Sequence, residues 1–228
     1  MAKAVTIASD LTSPIGRFSF CHFWEPKKVT KKEGNVDVET GDVSFETVLI
    51  IPRLKDLTSD LDRERFAELT KAYNTALKSL KEKYGDEFEI EDKNKCWEDG
   101  DKYNARMKKG GYQVRPEYEG KMILKLKSKN RAVAITQLLP TGQSKPIQKH
   151  SDFVAGDYGV AVFSVYTYDN QSRGIGFGLN GVAKVRSGPP LVGTNDADVV
   201  FKNKKVDPSQ FEIADNQSEF EDDEEPAI

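Results

Sequence analysis

The stretch YGVAVFSVYTY (158–168), the five residues DNQSR (169–173) and GIGFGLNGVAKV (174–185) together decide the fold class. Two runs rich in β-branched and aromatic residues flank a short polar turn, which predicts a β-hairpin. In the first run Tyr158, Val160, Val162, Ser164, Tyr166 and Tyr168 share one face, and Gly159, Ala161, Phe163 and Val165 the other. In the second, Gly174, Gly176 and Gly178 alternate with Ile175, Phe177 and Leu179, leaving one face as bare backbone. A neighbouring strand, a bend or a ligand could approach that face, and the first two are favoured.

Further strands follow outward from the hairpin. RFSFCHFW (17–24) alternates large and small residues, with Phe18, Phe20 and His22 assigned to one face, and stops at Glu25-Pro26. Lys27 to Thr40 is read as a charged loop carrying Lys27, Lys28, Lys31 and Lys32. VSFETVLII (43–51) is a second strand, ended by Pro52. KMILKLK (121–127) sends Met122, Leu124 and Leu126 one way and Lys121, Ile123, Lys125 and Lys127 the other. AVAITQLL (132–139) is short and apolar.

One helix is expected at about 60–84. Ser59 and Asp60 can cap it, Phe66, Leu69, Tyr73, Leu77, Leu80 and Tyr84 recur at helical spacing, and Gly85 stops it. From 86 to 120 no periodicity is visible, and the segment is read as a long loop in which Asp99-Gly100-Asp101 forms a turn. Five or six strands with one inserted helix predict a mainly β fold, a small Greek-key barrel or sandwich.

Charge is distributed unevenly. The chain of 228 residues has 34 Lys and Arg against 37 Asp and Glu. Residues 212–228, EIADNQSEFEDDEEPAI, hold eight acidic groups and no basic one, so the remainder stands at 34 against 29. Such an acidic block is expected to be a disordered interaction tail on a basic domain spanning 1–211. Between Asp101 and Arg131 ten basic residues face three acidic ones. Tyr103, Tyr112 and Tyr118 are interleaved with them, and Trp97 lies just upstream. Cations for phosphates and flat rings for unpaired bases are what a single-stranded nucleic-acid groove needs, although a solvated basic loop has the same composition.

Catalysis finds little material. His22 and His150 are the only histidines, GIGFG lacks the spacing of a dinucleotide fingerprint, and no nucleophile, base and oxyanion donor assemble. Cys21 and Cys96 lie too far apart in sequence for a metal motif and are expected as free thiols in a reduced compartment. No stretch approaches the ~20 apolar residues of a membrane span, and a soluble, untargeted protein without metal or cofactor is expected.

Short marks run in order over roughly residues 15–202: Arg17-Phe18-Ser19-Phe20, Phe23-Trp24-Glu25-Pro26-Lys27, Leu49-Ile50-Ile51-Pro52, the helix, Asp99-Gly100-Asp101, and Tyr118-Glu119-Gly120-Lys121. Ala155-Gly156-Asp157-Tyr158, Tyr168-Asp169-Asn170 and Gly174 through Val182 complete them. In this series the chain resembles the phage OB-fold single-stranded DNA-binding proteins, similar in design to the replication single-strand binders of short-tailed phages. The resemblance implies a five-stranded OB barrel that holds single-stranded DNA without strong sequence preference, serves replication, recombination or repair, and carries out no catalysis. It also implies the host cytoplasm, and an acidic tail that recruits replication proteins such as DNA polymerase or helicase-primase. A homodimer stays open.

The residues themselves nominate Arg106, Lys108, Lys109, Arg115, Lys121, Lys125, Lys127 and Arg131 for phosphates. Trp97, Tyr103, Tyr112, Tyr118, Tyr166 and Tyr168 are nominated for base stacking. Phe220, Glu221, Asp222, Asp223, Glu224, Glu225 and Ile228 are nominated for the partner-binding tail. A protein-interaction scaffold, or an OB protein for RNA or duplex, is the alternative reading.

Overall fold

In the computed structural model the described residues are 4–33, 36–170 and 172–191. The acidic segment 212–228, with its nominated residues and the boundary at 211, lies outside them. In chain order the strands begin with β1 (Val5–Thr12), β2 (Gly16–Glu33) and β3 (Val36–Pro52). Helix α1 (Asp60–Tyr84) is followed by β4 (Trp97–Asp99), helix α2 (Gly100–Lys109) and β5 (Lys121–Lys129). The last four strands are β6 (Ala134–Leu138), β7 (Ser144–Pro146), β8 (Tyr158–Asp169) and β9 (Arg173–Arg186).

Five of these strands close a barrel. β2 pairs antiparallel with β3, and β3 with β5. β5 meets β9 in parallel at Leu126–Phe177 and Lys127–Gly178, β9 returns antiparallel along β8, and β8 closes on β2 at Gly16–Gly159. Counted along the chain, the barrel strands join first to second to third to fifth to fourth and back to first, the OB order. β1 lies along the outer edge of β8, while β6 and β7 extend the sheet beyond β9.

The interior is aromatic and aliphatic. Phe18, Phe23, Phe153, Phe163, Leu124 and Leu126 are buried, and the Phe18 ring meets Phe153 edge-on at 5.0 Å. α1 belongs to the same core through Phe66, Leu69, Ala72, Ala76 and Leu80, and packs on β1, β8 and β9. Its bounds are those the sequence predicts. Ser59 caps it by accepting from the Asp62 N–H at 3.4 Å, and Gly85 ends it at φ 98°.

Three expectations need correction. Phe20 does not share a face with Phe18. Its φ of 56° marks a register shift between Ser19 and His22, a bulge that turns both Phe18 and Phe23 into the core and leaves Phe20 36% exposed. The charged stretch after Trp24 is no loop but a continuation of the β2–β3 hairpin, with Lys27 opposite Ser44 and Thr30 opposite Glu39.

The segment 86–120 also carries regular structure. Asp99 caps α2 by accepting from the Asp101 and Lys102 N–H groups at 2.9 and 3.3 Å. Gly100 follows because a Cβ there would lie 2.0 Å from the Tyr118 carbonyl oxygen. The Asp-Gly-Asp sequence read as a turn is therefore a helix start.

Candidate nucleic-acid interface

The outer face of the barrel is assembled by strand alternation. On β5 it presents Lys125 and Lys127. Val48 and Glu46 of β3 stand opposite them, and Gly178 of β9 lies beside Lys127. Further round, Tyr166 of β8 pairs with Gly176 and Tyr168 with Gly174. The tyrosine rings lie on the glycines. A Cβ on Gly176 would come within 2.4 Å of the Tyr166 ring, and one on Gly174 within 2.7 Å of the Tyr168 hydroxyl. The bare strand face is thus covered by neither a strand nor a bend but by two aromatic rings from the partner strand.

Two adjoining clefts share Lys125 and Lys127. One, of about 450 Å³, is lined by Tyr166, Tyr168, Gly176, Asn170, Lys93 and Lys95. The other, of about 230 Å³, is lined by Phe20, Lys27, Glu46 and Val48. They cross the face formed by the second and third barrel strands and reach the loop between the fourth and fifth, the surface on which OB folds take oligonucleotides.

Carboxylates temper the positive charge of this face. Glu46 lies 2.6 Å from the Lys27 ammonium and 3.1 Å from that of Lys127. Partial burial works against its charge, but the two lysines outweigh burial and hold the carboxyl below its usual range. Glu98, with 5% of its side chain exposed, accepts two bonds from Arg106 at 2.8 and 3.0 Å and one from Lys125 at 2.8 Å. Four cations therefore share two carboxylates.

The ends of the groove are fixed by different means. At one, the Arg115 guanidinium lies 4.3 Å from the Phe20 ring centroid, and the His22 ring is stacked with Phe20 at 6.4 Å. Asn104 fixes the Arg115 backbone with bonds of 2.7 and 2.9 Å. Burial, then Lys27, pushes the His22 imidazole below its ordinary value.

At the other end, Asp169 accepts from the Tyr84 hydroxyl, from Lys83 at 2.9 Å and from Arg173 at 3.2 Å, which ties the β8–β9 turn to the end of α1. Tyr84 and Lys83 hold the Asp169 carboxyl down to about 2. Burial raises the Tyr166 and Tyr168 phenols, so both hydroxyls stay protonated donors at neutral pH.

The nominated residues divide. Lys125, Lys127, Tyr166 and Tyr168 line the groove, and Arg115 stands at its edge through Phe20. Arg106 lies behind Lys125 on Glu98. Lys108, Lys109 and Arg131 are exposed and line neither cleft, and Lys121 starts β5 opposite Pro52. Tyr118 is 2% exposed, so its ring offers no base a stacking surface. Trp97 packs edge-on against Phe66 and Tyr73 of α1, and Tyr103 is half-buried against Tyr118 at 5.4 Å. Tyr112 is 69% exposed at the end of α2. Sequence reading missed Phe20, His22, Lys27, Lys93, Lys95 and Asn170. For Phe20 a signal existed: Phe18 and Phe23, five positions apart, cannot both face inward without an irregularity between them.

Both cysteines are free thiols, and burial pushes each up to about 12.

Comparison with solved structures places the fold among phage proteins. The single-stranded DNA-binding protein from bacteriophage Enc34 in complex with ssDNA superposes with a TM-score of 0.54 at 14% identity, covering 83% of this chain and 96% of that one. The single-stranded DNA-binding protein gp2.5 encoded by bacteriophage T7 gives 0.51 at 13% identity, covering 90% and 98%. No curated protein sequence matches. The family described as Enterobacter phage Enc34, ssDNA-binding protein, matches residues 11–211, and the chain belongs to that family.

Proposed function

We propose that the chain binds single-stranded DNA along this groove without strong sequence preference, in the service of phage DNA replication, recombination or repair, and that it is not an enzyme. One observation carries the reading: Lys125 and Lys127 stand beside the Tyr166 and Tyr168 rings on the ligand-bearing face of an OB barrel. Ammonium groups follow a phosphate backbone whatever its bases. Rings accept any base face, and stacking contributes roughly 1–3 kcal/mol per base. Family membership and the Enc34 complex with ssDNA support the same ligand.

The test is a salt titration of oligo-dT affinity against duplex DNA and RNA of equal length. The expected result is a preference for the single strand, with a log–log slope of about −0.7 for each phosphate contact. Affinity indifferent to salt, or equal for all three nucleic acids, overturns the reading.

The proposal extends to the tail. Leu191, the last described residue, is seated against Ile50, Tyr118 and Ile123, beside Val48. The chain thus leaves the described part at the rim of the β3–β5 face. A polyanion tethered there competes with DNA at an effective concentration on the order of millimolar. DNA then frees the 212–228 segment for replication proteins. Deleting 212–228 is expected to tighten DNA binding and abolish recruitment, and unchanged affinity would reduce the segment to a solubility tail.

A further inference from the structure

At the end of β9 remote from the tyrosine–glycine pairs lies a second, polar cleft of about 680 Å³, framed by Lys145, Lys149, Lys184 and Arg186. It shares no lining residue with the groove. At ~3.3 Å per residue, Lys184 stands ~26 Å along the strand from Gly176.

The cleft is built rather than merely charged. The Lys184 ammonium is 2.8 Å from the Asp157 carboxylate, whose side chain is 2% exposed, and donates to the Asp152 carbonyl oxygen at 2.6 Å. Asp157 in turn accepts from the Val154 and Gly188 N–H groups. The guanidinium of the exposed Arg186 sits 3.8 Å from the centroid of the Tyr158 ring, which holds it in place. Lys145 and Lys149 are exposed and make no ion pair among the described residues. Asp152 is the lining's own carboxylate. With Lys184 matched by Asp157, three cations face that one acid, and the rest of the lining is polar apart from Pro146 and Ile147. Forked and ammonium donors in a cleft with surplus positive charge suit phosphate oxygens.

We propose that this cleft is a second phosphate-binding site, taking the backbone of a single DNA strand after it has left the groove. The inference rests on the single-strand reading above. A strand longer than the groove delivers its phosphates to the far end of β9 already tethered, so even weak contacts there are populated.

The test uses the full chain and its Lys145→Ala/Lys149→Ala variant. Both lysines are exposed, so the fold is retained. Salt titrations are run with an oligo-dT of about 8 nucleotides, within the ~4–16 that one OB fold covers, and with one of about 30. The short oligonucleotide should bind both proteins alike. The long one should lose roughly 1.4 from its log–log slope in the variant, about 0.7 for each phosphate contact removed.

An equal slope for both proteins on the long oligonucleotide overturns the second site while the groove stands. Failure of the unaltered protein to bind the short oligonucleotide removes the groove reading instead. Two short oligonucleotides bound per chain, falling to one in the variant, would overturn the continuous path, because the cleft would then take a separate strand. A synthetic 212–228 peptide that binds the unaltered protein but not the variant, with the long-oligonucleotide slope unmoved, would assign the cleft to an acidic peptide and end the phosphate assignment.

Discussion

The segment from Asp101 to Arg131 and the β8–β9 hairpin make an instructive pair. The first has the greater density of cations in the sequence and as many tyrosines, yet the fold commits much of it internally. Arg106 binds Glu98 behind the groove, Arg115 lies on Phe20, and Tyr118 is buried. The hairpin has few charges but places Tyr166 and Tyr168 on the groove. What counts for a ligand is the set of groups that pairing and burial leave available, which composition alone does not give.

The sharpest way to break this contrast is Glu98→Ala. If the carboxylate is the internal partner of Arg106 and Lys125, its removal leaves two partly buried cations uncompensated. The expected loss is about 3 kcal/mol, seen as a melting temperature lower by roughly 6–12 °C. An unchanged melting temperature would mean that Glu98 does not act as the internal partner of these cations.

Next in size is Tyr166→Ala, expected to weaken oligo-dT binding by about 1–3 kcal/mol in fluorescence anisotropy, whereas Tyr112→Ala should stay within about twofold. The reverse order would return the stacking role to the 101–131 segment. Smaller still, Lys127→Ala should remove about 0.7 from the salt slope and Lys108→Ala nothing measurable. Equal effects would extend the DNA path over α2.

The mildest test concerns pH. The Asp169 carboxyl lies below its unfolded value of about 3.9, so its contribution to holding the turn is complete above that value and is lost as pH falls through about 2. Carboxyl chemical shifts should therefore titrate near that lower pH. A midpoint near 4 would mean that the bonds from Tyr84 and Lys83 do not hold the turn in solution.

Much of the fold was legible. The hairpin and α1 have strong local periods and clear turn or cap residues, and α1 appears with the predicted bounds. The parallel junction of β5 with β9 was not legible, because it joins residues about fifty positions apart through backbone bonds that leave no side-chain pattern. α2 escaped notice because it is short and polar, and its cap sits inside an Asp-Gly-Asp string. Half the groove was visible in the alternation of Lys125 and Lys127 and of Tyr166 and Tyr168. Phe20 and His22 were hidden by a bulge, which reverses facing after a single irregular residue.

The tyrosine rings over Gly174 and Gly176 bind the history of four positions together. A methyl group at 176 would occupy the space of the Tyr166 ring, so the two sites should drift as a couple rather than singly. Gly176→Ala ought to be poorly tolerated alone and well tolerated once residue 166 is small. Related chains should therefore either keep a ring over a glycine or abandon both at once, making this corner of the groove a heritable unit larger than any one residue.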